Sequence, residues 1–214
     1  MNHFFDVDDI GSLELALARA QSIKAQPKKG YTEGNRKNIG LLFFNPSLRT
    51  RLSSQRAAQN LGMDVVVLDV GSESWKLEFS DGKIMNGASA EHIKEAAGVM
   101  GAYFDFLAIR AFASLQDRDL DYAEPVLTSF MKHAGVPIIN MESSTGHPLQ
   151  AFADLITIDE FKKTERPKVV LSWAPHPRAL PHAVANSFAQ WMNRAPVDLI
   201  ITHPEGYELD PKFV

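Results

Sequence analysis

The sequence predicts an α/β protein built from parallel, doubly wound sheets arranged in two successive domains. Three observations carry that expectation. Short apolar runs of strand length, at 39–44, 65–68, 104–109, 136–141, 169–173 and 197–202, alternate with stretches whose apolar residues recur at helical spacing. Parallel strands need helical crossovers, so such alternation implies a parallel sheet with helices on its faces. The pattern then breaks at a charged, proline-containing segment, 162–168, and restarts, which divides the chain into 1–162 and 163–214.

Each element follows from local pattern. Leu13, Ala16, Leu17 and Ala20 fall on one helical face, capped by Ser12 or Asp9. Residues 26–37, with Pro27, Gly30 and Gly34 among lysines, read as an exposed loop feeding the strand 38–44. Asn45-Pro46 breaks that strand, Ser54, Ala57, Ala58 and Leu61 mark the next helix, and Gly62 ends it before the strand 65–68. The segment 70–87 is polar apart from Trp75, Leu77 and Phe79, a length more often functional than inert. Trp75 either pins this loop to its own core or serves a site. Ile93, Ala96, Ala97 and Met100 predict a helix capped near Ser89, followed by the strand 104–109. Pro125 opens a short helix carrying Val126, Leu127, Phe130 and Met131, and Gly135 closes it. After the strand 136–141, Leu149, Phe152, Ala153 and Ile156 form a helix stripe beginning at Pro148. Beyond the boundary come the strand 169–173, a proline-rich turn at 174–181, a helix through Val184, Ser187, Phe188 and Trp191, and the strand 197–202.

Composition narrows the function. With 45% hydrophobic and 22% charged residues, the 214-residue chain has material for real cores. A net charge of −4 without a basic face argues against nucleic acid as a partner. No stretch approaches the length of a membrane span, and the start lacks the basic and apolar regions of an export signal, so the expectation is a cytoplasmic protein. The absence of cysteine excludes disulfides and thiolate metal sites, and no H-E-x-x-H pair suggests a metal centre.

The chemistry concentrates at strand ends, where parallel sheets bind ligands. Ser47, Leu48, Arg49 and Thr50 stand at a helix start after the first strand, where open backbone N–H groups and the helix dipole attract an anion. Arg49 and Arg51 add guanidinium forks suited to phosphate oxygens, and repel each other unless an anion neutralises one. Alone, the stretch also reads as an ordinary capped helix. It is not a P-loop, and the glycines form no dinucleotide fingerprint. Arg110, Glu142 with His147, and His176 each follow another predicted strand directly, and this shared placement favours one site.

The motif F-F-N-P-S-L-R-T-R at 43–51, the arginine after the third strand, H-P-L-Q at 147–150 and W-A-P-H-P-R at 173–178 resemble those of the carbamoyltransferases. Within that family they look nearest to the branch acting on N-acylated ornithines, from Leu41 to Val214. The resemblance implies that Ser47, Leu48, Arg49 and Thr50 hold the phosphate of carbamoyl phosphate. Arg110, His147, Pro148, Leu149 and Gln150 would hold its carbamoyl end, with Arg49, Thr50, Arg110, His147 and Gln150 catalytic. It implies that Trp75 reaches carbamoyl phosphate in a neighbouring subunit of a homotrimer, and that Glu142, His176 and Ala90 meet the acylated ornithine. The implied reaction is carbamoyl transfer to the δ-amine of that ornithine in arginine biosynthesis, with neither cofactor nor metal. Donors placed where negative charge grows lower its barrier, with His147 expected to act as an imidazolium and the departing phosphate available to accept the amine proton. Two features depart from the family pattern. Ala90 stands where the succinyl type has proline and the acetyl type glutamate, so the acyl group stays open, N-succinyl-L-ornithine being favoured over N-acetylornithine or plain ornithine. The chain also stops inside the second domain, before the family's H-C-L-P motif, which leaves a truncated, non-catalytic phosphate-binding module as the alternative.

Overall fold

The computed structural model describes residues 3–27, 29–70, 75–80, 82–176 and 180–214. In chain order the elements are α1 (Leu13–Ala25), β1 (Asn38–Phe43), α2 (Leu48–Asn60), β2 (Asp64–Asp69), β3 (Leu77–Glu78), β4 (Glu91–His92), α3 (Ile93–Tyr103), β5 (Phe106–Arg110), α4 (Arg118–Tyr122), α5 (Pro125–His133), β6 (Ile138–Glu142), α6 (Pro148–Phe161), β7 (Lys168–Ser172), α7 (Ala183–Arg194) and β8 (Asp198–Thr202).

The first sheet runs β2-β1-β5-β6 with every pair parallel. Side chains alternate across it, because successive Cβ atoms of a strand point to opposite faces. Ile39, Leu41, Phe43, Ala108 and Met141 pack on one side with Ala58 of α2. Leu42, Leu107, Ile109 and Ile138 pack on the other with Ile93 and Met100 of α3 and Leu127 and Phe130 of α5. Helices on both faces make the sheet doubly wound. Gly101 lets α3 and α5 approach, since a Cβ there would lie 1.7 Å from the Ala134 carbonyl oxygen. The chain start also joins this sheet: Phe4 pairs beside Ile139, donating from its N–H to the Ile138 carbonyl at 2.8 Å.

The second sheet contains β7 and β8 alone, paired in parallel. It is tied to the first by α6 and α7, where Phe152 stacks on the fully buried Trp191 at 4.9 Å and Leu13 and Leu17 of α1 close the cluster. This second unit is incomplete in the chain, one face of its sheet lying open: Val170 and Ile200 remain 56% and 43% exposed.

Several elements differ from the sequence reading. The strand expected from residue 104 starts at Phe106, because Phe104 terminates α3 by donating to the Met100 carbonyl. Helix α3 is capped by His92 rather than near Ser89, the imidazole accepting from the Lys94 N–H at 3.2 Å. The segment 70–87 supplies β3, which pairs with β4, while Trp75, Leu77 and Phe79 all pack on the core beneath α3 and α5. Of that segment, residues 71–74 and 81 lie outside the described residues, as do 177–179 of the proline-rich turn and Lys28 of the first loop. The short helix α4 carried no apolar stripe by which sequence could find it.

Candidate active site

Strand order reverses between β1 and β5, and the site lies at their carboxyl ends. Ser47 caps α2, its hydroxyl accepting from the Thr50 N–H at 3.2 Å, which leaves the first-turn N–H groups of Leu48 and Arg49 facing outward. Asn45 steadies this crest by accepting from the Phe112 N–H at 2.7 Å, which links the loop after β1 to the loop after β5. The two arginines part company. Arg51 pairs with Asp69 at the end of β2 and lies over the Phe43 ring, so Asp69 is the anion that relieves their repulsion. Arg49 turns to the cavity, and no carboxylate pairs with it among the described residues.

A bulge in the β5–β6 pairing shifts register after Ile109 and sets Arg110 opposite Glu142. Bulges re-aim side chains in this way. Arg110 pairs with Glu142, reaches the Thr50 hydroxyl at 3.4 Å and lies 4.4 Å over the Phe112 ring. His147, the residue before Pro148 at the start of α6, brings Nε2 to 3.3 Å from the same Glu142 oxygen. Arg110, Glu142 and the half-buried His147 thus form one group, in which Arg110 Nε and His147 Nδ1 have no hydrogen-bond partner among the described residues.

These residues line a cavity of about 540 Å³ together with Ser47, Arg49, Thr50, Leu149 and Gln150. Leu48, 75% exposed, and the buried Pro148 were expected to meet the ligand but do not line the cavity. Ser53, Asp154 and Val184 also line the cavity, and sequence reading did not assign them to the site. Asp154 was within reach of it, standing four residues after Gln150 and therefore on the same helix face. Gln150 Nε2 donates to Asp154 at 2.9 Å, which directs the Gln150 carbonyl oxygen away from that carboxylate.

Three residues expected at the site lie elsewhere. Ala90 is exposed and donates its N–H to the Lys76 carbonyl at 2.8 Å. His176 is exposed on the turn after β7. Trp75 packs half-buried on the core of its own chain, so a single chain does not bring it to the cavity. Glu142, expected to face an acylated ornithine, is the partner of Arg110 and His147.

Burial governs the electrostatics. It pushes the Glu142 carboxyl above the usual carboxylate range, against the opposing pull of Arg110. It also lowers His147 to about 4, assisted by the Arg110 cation, so His147 is neutral at pH 7 and not the imidazolium expected from sequence. Facing Glu142, Nε2 is the nitrogen placed to carry the proton. Burial likewise raises Asp154, against the Gln150 amide. Among the described residues no helix is long and apolar enough to cross a membrane, and no cluster of three or more His, Asp or Glu could hold a metal.

Comparison with known proteins places this geometry. Residues 2–160 match the family model for the carbamoyl-P binding domain of aspartate/ornithine carbamoyltransferases. Over all 214 residues the chain is 55% identical to the N-succinylornithine carbamoyltransferase of Bacteroides fragilis (strain 638R), covering 67% of that protein. It is 38% identical over 218 aligned residues to the N-acetylornithine carbamoyltransferase of Xanthomonas axonopodis pv. citri (strain 306), covering 63% of it. Among solved structures, acetylornithine transcarbamylase complexed with acetylcitrulline superposes on the whole chain with a TM-score of 0.90 at 37% identity, the chain covering 65% of it. The chain therefore spans about two thirds of the length of these relatives. Since the family model covers the unit that carries the arginine-lined cavity and extends to the last turn of α6, the chain belongs to the aspartate/ornithine carbamoyltransferase family.

Proposed function

We propose that this chain is the larger part of a carbamoyltransferase that moves the carbamoyl group of carbamoyl phosphate to the δ-amine of an N-acylated ornithine. The observation that carries the reading is the convergence of Arg49, Thr50, Arg110, His147 and Gln150 on one cavity at the α2 N-terminus. Such a cavity suits a small dianion with a carbonyl attached. The α2 amides, Ser47, Arg49 and Thr50 receive the phosphate. Arg110 and the His147 ring face the carbamoyl oxygen, and the Gln150 carbonyl accepts from the carbamoyl amine. In the reaction the amine nitrogen bonds to the carbamoyl carbon, the bond from that carbon to the bridging oxygen breaks, and phosphate leaves with the amine proton. Charge then grows on the carbonyl oxygen and the phosphate, where fixed donors stabilise it most. A neutral His147 has a single N–H, at Nε2, and offers it to the carbamoyl oxygen by turning from Glu142, contributing a hydrogen bond rather than a charge.

The finer parts of the reading rest on the relatives. Two proteins named N-succinylornithine carbamoyltransferase, at 55% and 56% identity, favour the succinyl substrate over acetylornithine or ornithine. The product is then an N-acylcitrulline, in the cytoplasm and in arginine biosynthesis. The reading divides the chain at 162/163 into a carbamoyl-phosphate-binding unit and the first part of an acylornithine-binding unit. His176 and Ala90 meet the acylated substrate only in the assembled protein. Trp75 contacts carbamoyl phosphate across the interface of a homotrimer.

Calorimetry of carbamoyl phosphate with the parent and Arg49→Ala tests the core of the reading. A loss of about 2–3 kcal/mol in binding is expected for one charge-assisted contact, and unchanged affinity in a folded variant overturns it. Turnover of the full-length protein with the three ornithines ranks the substrate. Mixing Trp75→Ala with Arg49→Ala subunits restores activity only if Trp75 serves a neighbour's cavity.

A further inference from the structure

Two buried carboxylates, Asp121 and Glu124, lie outside the cavity and belong to no ion pair among the described residues, and the second of them holds a segment of the site. Glu124 is 5% exposed, yet it accepts from the Ser143 hydroxyl at 2.7 Å, the Thr145 N–H at 2.7 Å and the Thr145 hydroxyl at 2.6 Å, all through Oε1. Its Oε2 accepts from the Ser144 N–H at 3.2 Å. Every one of these donors belongs to the turn that separates Glu142 from His147, and both of those residues face the cavity.

The backbone of Glu124 underlines this role. It sits at φ 51°, ψ 53°, in the left-handed region, immediately before Pro125. That conformation is costly for a residue with a side chain, and the following proline restricts it further. Such strain persists only where the surroundings over-determine it. The contacts that over-determine it here are the four hydrogen bonds to the turn.

The opposite side of the turn is held as well. Asn186 of α7 donates to the Thr145 carbonyl at 3.0 Å, and the His147 N–H donates to the Ser187 hydroxyl at 2.8 Å. Within the turn, the Ser143 N–H donates to the Gly146 carbonyl at 2.7 Å. A buried carboxyl loses heavily when its donors leave, so any displacement of the turn strands its oxygens without partners. The turn is therefore stiff in the direction that would carry His147 out of place.

We propose that Glu124 is a positioning residue: it locks the 143–146 turn and thereby fixes His147 beside Glu142 and Arg110, without touching the cavity itself. The proposal builds on the reading of the cavity as the transfer site, and its test includes a readout that does not depend on turnover.

In the full-length protein, Glu124→Gly removes the carboxylate while relieving the left-handed strain. The variant is expected to lower kcat by about 10²-fold, the scale of a misplacement near 1 Å. Its Kd for carbamoyl phosphate should stay within about threefold, because the phosphate donors lie on α2. The His147 imidazole resonances, followed in histidine-labelled protein, should shift and broaden. Glu124→Gln keeps Oε1 as an acceptor and should recover kcat to within about tenfold of the parent. If Glu124→Gly fails to fold, Thr145→Ala, which removes one bond to Oε1, should still shift the His147 resonances. A folded Glu124→Gly with parental kcat and parental His147 resonances overturns the proposal. So does a Thr145→Ala protein that loses stability while His147 is unmoved. Should the parent itself transfer no carbamoyl group, the functional reading fails, and the His147 resonances still decide the role of Glu124.

Discussion

The two sheets are built by the same rule and end in different states. In the first, β1 and β5 are covered on both faces, and Leu42, Leu107 and Ile109 are completely buried. In the second, β7 and β8 alternate exposed and half-buried residues along their whole length. The cavity belongs almost wholly to the first sheet, and α7 contributes Val184 to its lining, with Asn186 and Ser187 bracing the 143–147 turn. A site that holds a small anion needs donors fixed within a few tenths of an ångström, and strand ends deliver that only when the strands cannot shift. The second sheet, two strands wide in this chain, lacks that constraint.

Breaking the first sheet should therefore cost far more than disturbing the second. Phe130→Ala empties a fully buried site between α5 and the sheet and should destabilise the chain by about 3–5 kcal/mol in urea unfolding. A loss below about 1 kcal/mol would erase the contrast. Arg110→Met leaves Glu142 buried and unpaired, at a cost of about 3 kcal/mol or more, whereas the double variant Arg110→Met, Glu142→Leu should regain most of it. If the double variant is no more stable than the single one, the pair does not act as a unit.

Acid sharpens the comparison, because the buried histidine is in the first sheet's site. His147 titrates near 4 when folded and near 6.5 in an ordinary environment, so the folded chain binds its proton less readily than the unfolded chain. Stability is thus unaffected by His147 above pH 6.5, falls between 6.5 and 4, and levels below that. The slope is at most about 1.4 kcal/mol per pH unit. Glu142, whose carboxyl is raised by burial, acts in the opposite sense: its cost is present at higher pH and eases as it gains a proton. Urea midpoints across that range should slope less in His147→Gln than in the parent, and equal slopes would place the ring in water. The smallest effect is expected at Val170→Thr, which lies on the open side of β7 and should change stability by no more than about 0.5 kcal/mol in the isolated chain.

Strands, helices and the candidate cavity residues at their ends were legible because they depend on local pattern. Apolar spacing marks β1, β5, β6 and the helices α2, α3 and α5, and Asn45-Pro46 with Ser47 marks a strand-to-helix turn regardless of the rest of the chain. Asp154 was legible in principle, one helical turn beyond Gln150. The short pair β3 and β4 was not, since two residues each give no period to read.

Sequence alone determined which residue types stand at the strand ends and hence that an anion site was to be expected there. The tertiary structure decided their partners. Asp69 claims Arg51 and leaves Arg49 to the cavity, the bulge after Ile109 pairs Arg110 with Glu142, and burial beside Arg110 keeps His147 neutral. Partners and protonation depend on distance and desolvation between segments up to about a hundred residues apart, from Thr50 to His147, and no local spacing encodes either quantity.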